Sequence, residues 1–134
     1  DDDARGLVGG LTRGSRPEHL ARALVEGIGQ RCADVCDALG PFDGPLRVDG
    51  GLARSDLLLQ ELADLSGCAL WRAAETETTA LGAAFFAALG VGLLAGPGQV
   101  RALLPPPTLF SPRLGPERRE ARRLRWRDIL RRVG

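Results

Sequence analysis

The stretch that decides the reading of this chain runs Leu46-Arg47-Val48-Asp49-Gly50-Gly51-Leu52-Ala53-Arg54-Ser55-Asp56. LRV is a short strand candidate, and Asp49-Gly50-Gly51 turns the chain into a helix predicted over about Arg54 to Ser66. Two adjacent glycines leave the main chain bare, so a ribose or a flat ring can lie directly on it. The helix that follows points unpaired amides and the positive end of its dipole back at the turn, which favours phosphate. A strand, a bare turn and a helix in this order can hold a nucleotide, although the same tripeptide is also a common tight turn.

The remainder of the chain alternates in the same way. Upstream, RGLVGGL at Arg5 to Leu11 reads as a strand. It enters a turn at TRGSRP, and Pro17 with Ser15 as cap opens a helix to about Leu39. The apolar face of that helix is read as Leu20, Leu24, Ile28, Cys32, Val35 and Leu39, at steps of three and four, and Gly40-Pro41 ends it. In the helix after the turn, Leu57, Leu58, Leu62 and Leu65 are expected to face inward, with Gly67 as the stop. CALW at Cys68 to Trp71 is a further strand, and Thr78 to Leu94 a further helix. Its Ala80, Ala84, Ala88 and Gly92 recur every four residues, so this helix is expected to be buried and to cross a neighbour closely. Residues 104–112 read as an irregular Pro-rich link, and Pro116 to Val133 as a last amphipathic helix with Trp126, Leu130 and Val133 on one side. The pattern is α/β.

Composition narrows the function classes. The 134 residues carry a net charge of +1, with 44% hydrophobic and 26% charged residues, which suits one globular domain with a real core. All 18 basic residues are arginine. The residues Ala80 to Gly98 run nineteen positions without a charge, but they are rich in Ala and Gly and broken by Pro97, so a buried helix is preferred to a membrane span. Cys32, Cys36 and Cys68 have neither disulfide-framework nor zinc spacing and read as small core residues in a reduced, cytoplasmic setting. His19 is expected at an exposed helix start, and Asp1 to Asp3 in solvent. Glu75 and Glu77 precede a helix, where acids favour the dipole, and Thr78 and Thr79 are further capping candidates.

Four segments in order resemble the FGGY family of carbohydrate kinases: ARGLVGGLTRGS at Ala4 to Ser15, the helix ending near Asp34, LRVDGGLARSDLLLQELADLSG at Leu46 to Gly67, and ETTALGAAFFAALGVGLL at Glu77 to Leu94. The resemblance is nearest to the glycerol kinases of that family, helped by Trp126 close to the end of the chain. It implies the carboxy-terminal, ribonuclease-H-like half of an actin-like ATPase: a mixed sheet flanked by helices. Residues 1–104 would be the nucleotide-binding domain, and 105–134 the link and terminal helix packed on it. It further implies that Gly50, Gly51 and Ser55 contact the adenosine of ATP, Ser55 standing where glycerol kinases usually have Asn. Neighbouring FGGY subfamilies also carry Arg-Ser at this point, which weakens the glycerol assignment more than the kinase one and keeps a xylulokinase-like pentulose kinase open.

By the same resemblance, Mg2+, the catalytic carboxylate and the polyol pocket belong mainly to an amino-terminal kinase domain, so the chain by itself should be inert. A homo-oligomer is compatible with the resemblance. A competing reading makes the last helix, with eight arginines among residues 118–132, a nucleic-acid or acidic-partner module. Interleaved Glu117, Glu120 and Asp128 and the absence of a stacking aromatic favour a solvated face instead. A non-catalytic relic kept as an interaction module is the third reading.

Overall fold

The computed structural model describes residues 6–75 and 77–132. The chain forms helices Pro17–Leu39 (α1), Asp56–Ser66 (α2), Thr78–Gly90 (α3), Pro97–Leu103 (α4) and Pro116–Arg131 (α5) and strands Leu46–Val48 (β1), Leu70–Arg72 (β2) and Thr108–Phe110 (β3). β2 is central: β1 runs parallel to it, with Leu46 opposite Leu70, and β3 antiparallel, with Leu70 opposite Phe110. The row Leu46, Leu70 and Phe110 therefore lies on one face, where it meets Leu59, Leu62 and Leu65 of α2 and Ala33 of α1. The expected α/β class and mixed sheet are what the chain forms.

Glycine punctuation acts where expected. Gly67 adopts φ 72°, ψ 9° and closes α2 by donating its N–H to the Ala63 carbonyl, a left-handed cap that a Cβ would strain. The other end of α2 differs from the expected start near Arg54. Gly51–Arg54 form a 3₁₀ turn, and the helix proper begins at Asp56 behind the cap Ser55. Ser15 does not cap α1. Its hydroxyl accepts from the Thr12 amide, and His19, exposed as expected, accepts the Arg16 amide at Nδ1 over 3.1 Å.

Several expectations about packing are overturned. Residues 6–11 form no strand; Arg5 lies outside the described residues. Of the expected α1 stripe, Leu20, Leu24, Val35 and Leu39 are exposed, Leu39 at 70%, while Ile28 is half-buried and Cys32 packs on the core; the buried residues are Gly29, Gln30 and Ala33. Small residues win because α1 lies so close to α2 that a Cβ at Gly29 would stand 2.8 Å from Glu61 Cγ. In α2, Leu59 replaces Leu57 on the inner side. α3 is a helix but has no buried residue, and Phe86 is 78% exposed. Its 13 residues span about 20 Å against about 30 Å for a bilayer core, and no described helix is long and apolar enough to cross a membrane. The cysteines are half-buried, and burial with the nearby Cys68 and Cys32 pushes the Cys36 thiol up. The Pro-rich link contains β3, since Thr108–Phe110 are the residues free of proline that complete the β2 ladder.

The arginine helix α5 is not simply a solvated face. Arg123 is 3% exposed and donates to the Gln30 carbonyl and Oε1, to Asp34 Oδ1 and to Asp37 Oδ2, all within 2.7–3.0 Å. Trp126 Nε1 donates to the other Asp34 oxygen at 3.0 Å. Burial alone would raise the Asp34 carboxyl, but the hydrogen bonds from Trp126 and Arg123, with the charges of Arg123 and Arg31, outweigh it and hold the group below its ordinary value. A depressed folded-state value gives stability that is present above the unfolded value of about 4 and is lost as pH falls through the folded value. Asp34→Asn should therefore lower stability at neutral pH and flatten the acid limb of a urea-midpoint profile. Arg123→Met, which strands these acceptors, should cost about 3 kcal/mol in the same measurement.

Candidate nucleotide site

The Asp49-Gly50-Gly51 turn leaves the carboxyl end of β1, on the edge where parallel strands of α/β sheets commonly present ligands. Gly50 has φ 86° and ψ 175°, a conformation open in practice only to glycine. Gly51 is not at positive φ and starts the 3₁₀ turn. A Cβ added to either residue would meet nothing within 4 Å, so the turn presents bare main chain to open space. Asp49 and Gly51 are exposed, as a ligand-facing turn requires.

The turn is held from behind. The buried Ala53 donates its amide to the Gly50 carbonyl at 3.1 Å. Arg72, at the end of β2 and opposite Val48, reaches the Ala53 carbonyl at 3.3 Å and Asp56 Oδ1 at 2.5 Å through the same Nη1. Its guanidinium carbon stands 5.2 Å from the centroid of the Phe110 ring. On the other flank the Thr78 hydroxyl donates to Asp49 Oδ2, and Arg54 pairs with Glu77 at 3.1 Å. Both Arg54 and Glu77 are well exposed, so this pair adds little to stability. Glu75 accepts the Glu77 amide at 2.9 Å, which makes it a local cap at the start of α3.

Of the three expected adenosine contacts, Gly50 and Gly51 lie on the open side of the turn. Ser55 stands at the foot of α2, where its Oγ accepts the Leu58 amide at 3.2 Å. Its hydroxyl hydrogen is the part left to donate elsewhere. Reasoning from the sequence missed Arg72 and the Asp49–Thr78 bond. Arg72 had a signal: a lone charge closing an apolar strand next to the turn-bearing strand. The cavity behind the turn, about 720 Å³ and bordered by Asp49, Trp71, Thr78 and Arg101, is not lined by Gly50, Gly51 or Ser55. Among the described residues no group of three or more His, Cys, Asp or Glu side chains is arranged to hold a metal ion.

Residues 1–91 match the carboxy-terminal domain of the FGGY family of carbohydrate kinases. The chain belongs to this family. A glycerol kinase of Koribacter versatilis is 42% identical over 99% of the chain, which spans 28% of that relative. The fold superposes on the crystal structure of Plasmodium falciparum glycerol kinase with ADP with a TM-score of 0.83 and 27% identity, covering 98% of this chain and 27% of the other. A xylulose kinase of Rhodospirillum rubrum follows the same path at TM-score 0.69 and 28% identity, covering 94% and 26%. The chain thus spans little more than a quarter of the length of these FGGY relatives. β3 and α5 lie beyond the matched residues, yet β3 pairs with β2 and so enters the same sheet.

The two glycines of the turn should separate by experiment. Gly50→Ala should cost about 1–3 kcal/mol of stability, because alanine does not tolerate the Gly50 backbone conformation. Gly51→Ala should cost well under that, since nothing crowds the position, and thermal unfolding of the two variants checks the difference.

Proposed function

We propose that the full-length protein carrying this chain transfers the γ-phosphoryl group of ATP to a hydroxyl of a small polyol, glycerol foremost, giving glycerol 3-phosphate. The observation that carries this reading is the bare Gly50-Gly51 main chain, with Gly51 exposed, on a domain whose relatives are glycerol kinases. In this reading the adenosine lies against Gly50 and Gly51, with the Ser55 hydroxyl beside it. This chain then binds and orients the nucleotide and supplies neither the general base nor the metal ligands. Mg2+ and the substrate pocket belong to an amino-terminal kinase domain. Phosphoryl transfer needs the phosphates held between two walls, and this domain forms one of them.

The exposed leucines of α1 and the apolar surface of α3 support a larger protein, because such surface is normally covered. Four of the eight arginines among residues 118–132, Arg122, Arg123, Arg127 and Arg132, pair with carboxylates, which leaves less for a nucleic-acid backbone. We place the protein in the cytoplasm, acting on soluble substrates.

Glycerol-dependent ADP release by the full-length protein tests the activity. Turnover on a pentulose with none on glycerol would move the protein to another branch of the family. Gly51→Val should raise the ATP KM about tenfold, because the branched side chain enters the space given to adenosine while the fold tolerates it. An unchanged ATP KM would remove the turn from the binding site.

A further inference from the structure

We propose that Arg72 is a positioning residue for the nucleotide turn: braced against Phe110, its guanidinium holds the 3₁₀ turn and the start of α2 so that Gly51 is presented to adenosine. This rests on the nucleotide reading of the turn given above. A Cβ on Gly51 would meet nothing within 4 Å, so no side-chain packing could anchor that position, and its place depends on the residues that hold the turn. The neighbour that matters is Ala53, buried and bonded through its amide to the Gly50 carbonyl. Arg72 is the side chain that reaches the Ala53 carbonyl, and the same nitrogen also takes Asp56, the first residue of α2.

Arg72 is itself well fixed. Its strand position is locked by the parallel ladder, where the Ala73 amide donates to the Val48 carbonyl at 3.2 Å. Its plane lies near the ring of Phe110, which is 9% exposed and belongs to the core. A path of contacts therefore runs from Phe110 through Arg72 and Ala53 to Gly50. The path begins in β3, outside residues 1–91, so the segment beyond the family match contributes to the geometry of the nucleotide turn. Lysine does not reproduce this arrangement. Its ammonium is a point charge on a flexible stem, without the planar guanidinium that is braced on Phe110 while its Nη1 is held at the Ala53 carbonyl and Asp56.

The test uses the full-length kinase with ATP and polyol varied separately. Arg72→Lys should raise the ATP KM about five- to tenfold, while kcat and the polyol KM stay within about twofold. Asp56→Asn should raise the ATP KM about two- to threefold, and the double variant should be no worse than Arg72→Lys alone, because both act through one contact. An ATP KM within twofold of wild type in Arg72→Lys overturns the proposal, as does a fall in kcat at unchanged ATP KM or strict additivity of the two substitutions. Should Arg72→Lys fail to fold, Asp56→Asn at the surface carries the test, and an unchanged ATP KM there overturns it. Gly51→Val separates the two ideas. If it too leaves ATP binding untouched, the nucleotide reading itself falls; if it weakens ATP binding while Arg72→Lys does not, only the role of Arg72 falls.

Discussion

Glu61 is a carboxylate 3% exposed in the middle of α2, and the other helices packed on that face take their places from it. Leaving such a charge unpaired would cost several kcal/mol, so its partners are obligatory. Arg122 of α5 takes both of its oxygens, and Arg22 of α1 approaches one of them at 3.4 Å. The close approach that brings Arg22 within reach depends on Gly29, which lies over the Glu61 side chain. Arg123, the next residue of α5, works in the opposite sense and carries its charge into a cluster of α1 acceptors. Two adjacent arginines thus fix one helix against two others.

The same lock governs the β3 edge of the sheet through the loop between β3 and α5. Asp64 of α2 accepts the Arg113 amide at 2.5 Å and the Leu114 amide at 3.3 Å, and Gln60 donates to the Ser111 carbonyl at 3.0 Å. These bonds clip the residues that immediately follow Phe110. With that loop and α5 both seated on α2, β3 is held against β2 and Phe110 stays beneath Arg72. The charged joint of the helices and the bare glycine turn are therefore parts of one mechanical assembly, although they share no residue.

What was legible in the sequence was what local chemistry decides. Pro17, Gly40 and Gly67 mark helix boundaries because each constrains φ or removes a Cβ, and those boundaries are where the structure puts them. The LRV-DGG unit was legible for the same reason. The burial of α1 was not, since periodicity locates an apolar stripe but cannot say which surface lies against this part of the molecule. Here Gly29 and Ala33 give the closer fit, and the leucines face outward. β3 was hidden because three strand residues between prolines carry no period of their own; only the open edge of β2 gives them a partner. Arg123 was hidden among six other α5 arginines, which are chemically identical to it until α1 supplies acceptors. The expected roles of Gly50, Gly51 and Ser55 came from motif and resemblance, and the structure adds the open space around both glycines and the backbone angles that make them different.

That difference has an evolutionary reading. Gly50 answers to the backbone and, in the proposed nucleotide role, Gly51 answers to the adenosine in front of it, so under that proposal the two are under separate kinds of selection although they are neighbours. In a lineage where a duplicated copy no longer bound nucleotide, Gly50 would persist as long as the domain folded, while Gly51 would be free to drift. A paralogue that keeps the first glycine and has lost the second would thus record a change of occupation without a change of fold.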